Sequence, residues 1–105
     1  MKGEKEMTIK QISVFLENKP GKLAEFVEVL RGHGIDMRAL SLAEASDFGI
    51  ARVIVDDPDK TQQVLAEAHF ISSVTPVIAV AVSDQPGALY EMLEAMREGS
   101  VNIEY

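Results

Sequence analysis

Ile12, Val14 and Leu16 alternate with Ser13, Phe15 and Glu17, and this period of two predicts a β-strand with one uniformly apolar face. A Pro20-Gly21 turn follows. Leu23, Phe26, Val27 and Leu30 then fall at i, i+3, i+4 and i+7, the stripe of an amphipathic helix. Gly32 and Gly34 end it, because glycine accepts the left-handed residue that closes a helix. Residues 36–45 read as a second strand, Ser46-Asp47-Phe48-Gly49 as a hairpin turn, and the β-branched run 50–55 as a third strand. Asp57-Pro58 reads as an N-cap followed by proline at the first helical position. Val64, Leu65 and Ala68 give that second helix its apolar face. Residues 70–82 are extended, with a break or bend expected near Pro76. Residues 1–7 are polar and expected to be frayed.

The order is β-α-β-β-α-β, an α+β arrangement of the ferredoxin-like kind: an antiparallel sheet with two helices on one face. It is complete by about residue 76. The pattern then restarts. Ile78, Val80 and Val82 alternate as a strand, Pro86-Gly87 makes a turn, and Leu89, Met92, Leu93 and Met96 repeat the stripe. A shift of 66 aligns residues 12–39 with 78–105 without a gap, and eight of those 28 positions are identical. They are Ile12/Ile78, Val14/Val80, Pro20/Pro86, Gly21/Gly87, Leu23/Leu89, Glu25/Glu91, Glu28/Glu94 and Arg31/Arg97. Core, turn and surface positions are all represented, as expected of a duplicated unit. The expected organisation is a first domain over 1–76 and a partial second copy over 77–105. A strand and helix alone do not bury such a stripe. The expectation is therefore a natural chain about a third longer, or packing against the first domain or a second chain.

Composition narrows the function classes. The chain has no cysteine, which excludes disulfides and thiolate metal sites. Its longest apolar run is the six residues Val77–Val82, too short for a membrane span, and the N-terminus lacks the apolar core of a signal peptide. A cytoplasmic location is the expectation. The formal charge of −7 argues against nucleic acid and anionic membranes as partners.

The β-α-β-β-α-β order, the Asn/Asp-x-Pro-Gly-x-Leu turn after the first strand and its tandem use resemble the ACT-domain family, in particular small stand-alone proteins made of two ACT domains. The resemblance covers the chain from about residue 8. It implies a non-catalytic regulatory module that binds an amino acid or similar metabolite where the first-strand/first-helix turn meets a neighbouring domain. The two sheets would lie side by side. It further implies a homodimer formed through sheet or helix packing, a metabolic enzyme as a possible regulated partner, and no cofactor. The positions concerned are Asn18, Lys19, Pro20, Gly21, Lys22, Leu23 and Asp36. In the second copy they are Asp84, Gln85, Pro86, Gly87, Ala88, Leu89 and Asn102.

Elementary chemistry gives that turn its own rationale. A helix start presents unpaired N–H groups and the positive end of the dipole, which suit an α-carboxylate. Pro20 fixes φ, and Gly21 lets a ligand approach the backbone. The same Pro-Gly also makes a good helix start with no ligand, with Asn18 and Asp84 as N-caps. Each copy holds one amide and one carboxylate with the positions exchanged: Asn18 and Asp36, then Asp84 and Asn102. One of each suits a zwitterion; both residue types are also common in turns. Lys19 and Lys22 flank the first turn, where Gln85 and Ala88 stand in the second. The first is therefore the expected anion-accepting site.

Other residues read as structural. His33 and His69 sit at helix C-termini, where the dipole favours them, and no third ligand makes a metal site. Asp56, Asp57 and Asp59 read as caps of the second helix rather than a calcium loop. Arg52 is placed on the sheet face away from the helices, paired with Glu44 or facing a partner, and the five methionines as core filling. An acylphosphatase-like enzyme lacks its phosphate-loop arginine here. An RNA-binding sheet lacks its aromatics. A dimerisation module without a small-molecule ligand stays open beside the sensor.

Overall fold

The computed structural model of the chain describes residues 5–44 and 47–98. Its elements are β1 (Lys5–Glu17), α1 (Lys22–Gly32), β2 (Met37–Glu44), β3 (Phe48–Val55), α2 (Pro58–Glu67), β4 (Ile71–Ala81) and α3 (Ala88–Glu98). They fall into two compact units. One is residues 10–77; the other contains, among the described residues, 5–9 and 78–98.

In unit 10–77 the strand order is β2-β3-β1-β4, the ferredoxin-like topology. β3 runs antiparallel to both neighbours. Ile12 stands opposite Val53 and Glu17 opposite Phe48, while Leu40 stands opposite Val53 and Glu44 opposite Gly49. This register brings the apolar set Ile12, Val14, Leu16, Ala51, Val53 and Val55 to one face, where α1 and α2 cover it with Phe26, Leu30, Val64 and Leu65. Because the side-chain period is two, the alternate residues of β1 and β3 face away from the helices. There Phe15 stacks on Phe48 at a centroid distance of 4.5 Å. Arg52 stands between Ser13 and Ser41 on that face, whereas Glu44, opposite Gly49, has the parity of Leu42 and belongs to the helix-covered face, so the two do not share a face.

Several expectations shift. Residues 5–7 belong to β1 rather than a frayed end. β4 runs through Pro76 without a break, which a terminal strand permits because its outer N–H row needs no partner. Val27 is 39% exposed, and Val29 packs on the core instead. The α1 stripe is thus Leu23, Phe26, Val29 and Leu30. Thr61 is fully buried, its Oγ1 donating to the Asp57 carbonyl at 2.8 Å, so a polar residue completes the inner face of α2.

Both helix ends in this unit close by the same device. After α1, the Gly34 N–H donates to the Arg31 carbonyl and Ile35 N–H to the Leu30 carbonyl. After α2, His69 N–H donates to Ala66 and Phe70 N–H to Leu65. Each is a Schellman motif, with the left-handed position held by Gly34 at φ 68° and by His69 at φ 67°. His33 caps α1 and its ring Nδ1 donates to the Val29 carbonyl at 2.9 Å.

In the other unit α3 buries Ala88, while Leu89 and Tyr90 are 59% and 65% exposed. Met92 and Met96 are half-buried.

Candidate functional site

Lys19-Pro20-Gly21-Lys22 forms a type II β-turn. The Lys22 N–H donates to the Lys19 carbonyl at 3.3 Å, and Gly21 takes φ 85°, ψ −6°, the third-position geometry of that turn. Proline supplies the second position and glycine the third for conformational reasons. Gly21, rather than Asn18, is the N-cap of α1, and no side chain caps the helix. The Gly21 carbonyl accepts from Glu25 N–H at 2.9 Å. Leu23 and Ala24 follow as helix-start donors that no preceding helical carbonyl reaches. The Asn18 N–H donates to the Asp47 carbonyl at 3.1 Å, tying the turn to the β2–β3 connection.

The second turn repeats this geometry at an offset of 66. Lys19 N–H to Glu17, Lys22 N–H to Lys19 and Glu25 N–H to Gly21 reappear as Gln85 to Ser83, Ala88 to Gln85 and Glu91 to Gly87. Gly87 has φ 87°. The Glu28–Arg31 ion pair of α1 recurs as Glu94–Arg97 in α3, each at 2.6 Å. The repeat read from the sequence is thus a repeat of hydrogen bonds.

The two turns differ in electrostatics. Lys19 Nζ lies 2.9 Å from a Glu17 carboxylate oxygen, and Lys22 Nζ lies 3.4 Å from Glu25. The hydrogen bond from Lys19, followed by its charge and that of Lys22, holds the Glu17 carboxyl below its ordinary range. The same bond raises Lys19. The cations flanking the first turn are therefore each matched by a carboxylate. At the second turn, Gln85 and Ala88 replace the lysines and Asp84 adds a negative charge.

A cleft of about 330 Å³ opens beside the first turn. Its apolar wall is Leu16, Leu23, Leu42 and Ile50; Asn18, Lys19 and Lys22 face it from the turn; Ala43, Glu44 and Gly49 close it from β2 and β3. Four sequence-predicted site residues, Asn18, Lys19, Lys22 and Leu23, thus line one cleft, with Pro20 and Gly21 shaping the turn behind it. Asp36 is elsewhere. It precedes β2 at the opposite end of the sheet, about 30 Å from Asn18 along the strands at ~3.3 Å per strand residue, since Asn18 is level with Asp47 and Asp36 with Asp56. There its N–H donates to Asp56 Oδ1 at 3.1 Å. The β2 and β3 wall carried no sequence signal, because only sheet register brings Leu42 and Ile50 to the turn. Asp84, Gln85, Pro86, Gly87, Ala88 and Leu89 make the second turn, and Asn102 lies outside the described residues.

The three aspartates after β3 act separately. Asp57 accepts from Lys60 N–H at 3.1 Å as the N-cap of α2, Asp56 holds Asp36, and Asp59 pairs with Lys10 at 3.3 Å.

A Pro-Gly turn that opens a helix on a ferredoxin-like sheet, with its backbone hydrogen bonds repeated 66 residues on, points to a class, and sequence comparison agrees. The chain belongs to the ACT domain family: the pattern of an ACT domain pair matches residues 7–105. ACT domains are regulatory, small-molecule-binding modules rather than catalytic ones. The chain is similar to protein BT0572 from Bacteroides thetaiotaomicron, with 45% identity and a TM-score of 0.91 over 95% of this chain and 69% of that one. The regulatory subunit of aspartate kinase from Thermus flavus shares 20% identity, with a TM-score of 0.71 over 98% of this chain and 78% of its own. The corresponding subunit from Thermus thermophilus shares 17%, with a TM-score of 0.67 over 91% and 73%. At those identities the likeness is one of fold. No curated protein matches the chain. Among the described residues, no helix is long and apolar enough to cross a membrane.

Proposed function

We propose that unit 10–77 is a sensor for a small zwitterion, an amino acid, bound in the cleft beside the Lys19–Lys22 turn, and that residues 77–105 are part of a second ACT-like repeat. The observation that carries this reading is the convergence, in one cleft of about 330 Å³, of helix-start donors, an amide, two lysines and an apolar wall. That volume lies at the small end of the ~300–1,000 Å³ usual for ligand sites. The ligand carboxylate takes the N–H groups of Leu23 and Ala24, where the α1 dipole favours negative charge. Asn18 donates its amide alongside. Glu17 and Glu44 at the rim accept from the ammonium, and the side chain rests on Leu23, Leu42 and Ile50. Ligand binding favours whichever packing of chains completes the cleft, which is how occupancy reaches a regulated partner such as a metabolic enzyme. The fold shared with aspartate kinase regulatory subunits fits this role.

Thermal denaturation against a panel of amino acids tests the reading. A ligand at a hundred times its dissociation constant stabilises by about 2.7 kcal/mol. A selective shift that disappears in Asn18→Asp is expected, because the new carboxylate repels the ligand's own. A panel without any shift refutes the reading, as does a shift that Asn18→Asp leaves unchanged.

A further inference from the structure

The first turn has a second flank. Where β1 stops and α1 starts, α2 also stops and β4 starts, and these four ends enclose a second cleft of about 350 Å³. All of its lining residues belong to unit 10–77. Its volume is in the range of small-molecule sites, ~300–1,000 Å³. The amino-acid reading concerns the β2 and β3 side of the turn and gives this cleft no role.

The apolar side of the cleft is Phe15, Phe70 and Ile71. Both rings are braced from behind: Phe15 stacks on Phe48, and Phe70 meets Phe26 edge-on at 6.1 Å. Phe15 and Ile71 are nevertheless 44% and 74% exposed, so a ligand with an apolar body would take their surface out of water. The polar side is Glu17, Lys22, Glu25 and His69.

The charges select a cation. Glu17 is matched at 2.9 Å by Lys19, which does not line this cleft. Lys22 reaches Glu25 at the longer distance of 3.4 Å, and the same lysine also faces the first cleft. Ala68 and His69, at the C-terminal end of α2, stand at the rim, so the cleft meets the negative end of a helix dipole. Aromatic ring faces attract cations as well. The net charge of −7 favours the approach of a molecule of that sign.

We propose that this second cleft binds an organic monocation with an apolar body, an aryl- or alkylammonium, with its charge on Glu25 near the end of α2 and its body on Phe15, Phe70 and Ile71. Lys22 is the internal competitor, whose ammonium the ligand's replaces on Glu25. Withdrawal of this lysine toward the first cleft leaves Glu25 to the cation. The site stands independently of the amino-acid reading, which Asn18→Asp tests at a residue that does not line this cleft.

The test is a titration of the full, isotope-labelled chain with phenethylammonium, followed by amide NMR with no amino acid added. Saturable shifts are expected at Glu25, Ala68, His69 and Ile71, with millimolar affinity. Glu25 is exposed, so Glu25→Gln should fold normally and weaken binding about three- to fivefold. Lys22→Met removes the competitor and should tighten binding by a similar factor. Asp59→Asn deletes an equal charge in the first turn of α2, at its other end, and should leave the affinity unchanged. 3-Phenylpropionate, with the charge reversed, and methylammonium, without the apolar body, should not saturate the same shifts. Absent or dispersed shifts overturn the proposal, as does either control compound binding as well as phenethylammonium. So do a Glu25→Gln variant that binds like wild type, a Lys22→Met variant that binds more weakly, or a loss in Asp59→Asn equal to that in Glu25→Gln.

Discussion

Gly21 offers a substitution whose effect is set by backbone geometry alone. Its φ of 85° lies where an L-residue is strained, and a Cβ added there meets nothing within 4 Å. Gly21→Ala therefore carries no packing penalty, only the left-handed one, about 1–2 kcal/mol. The smaller unfolded-state entropy of alanine offsets about 0.4–1 kcal/mol of this. The net expectation is a loss of about 1 kcal/mol. Asn tolerates the left-handed region better, so Gly21→Asn should lose roughly half as much. D-alanine, introduced by chemical ligation, is the inverse case. Its Cβ suits positive φ and meets the same open space, so it should stabilise by about 0.5–1 kcal/mol through the unfolded state. Urea denaturation of the three variants, followed by far-ultraviolet circular dichroism, gives the comparison. L- and D-alanine with the same sign would refute the assignment of a type II turn. A loss beyond about 3 kcal/mol for L-alanine would show that the site is crowded.

Three further outcomes follow from the same structure. His69 holds the left-handed position of a Schellman motif at φ 67°, so His69→Gly should raise stability by about 1 kcal/mol in urea denaturation. Glu17 titrates below the ordinary carboxylate range because of Lys19 and Lys22. Its contribution to stability is therefore present above the unfolded-state pKa and lost as pH falls through the lower folded value. NMR titration should show its midpoint return toward the ordinary value in Lys19→Met; an unmoved midpoint would remove the ion pair as the cause. Glu17→Gln leaves the Lys19 charge unmatched at the cleft. It should leave carboxylate affinity intact or tightened by calorimetry while weakening a ligand that needs its ammonium accepted.

Much of this was legible in local spacing. The alternation at Ile12, Val14 and Leu16 placed β1, Asp57-Pro58 placed the start of α2, and Gly34 placed the end of α1, because each signal acts within a few residues of itself. The 66-residue repeat announced the second turn, and the structure shows it as the same three backbone hydrogen bonds. Errors came where a neighbour in space outweighed one in sequence. Val27 fits the helical stripe as well as Val29 does, and only the direction in which α1 lies on the sheet decides which is buried. Asn18 has the chemistry of an N-cap, yet the type II turn carries the chain past it and gives the position to Gly21.

The chain's own sequence thus determined its elements, the 66-residue repeat of its turn and the chemistry at that turn, since dihedral preference and side-chain period are local properties. Tertiary structure alone decided that Leu42, Glu44 and Ile50 wall the cleft and that Asp36 stands at the other end of the sheet. Those are consequences of strand register and helix placement, which arise from contacts between residues far apart along the chain.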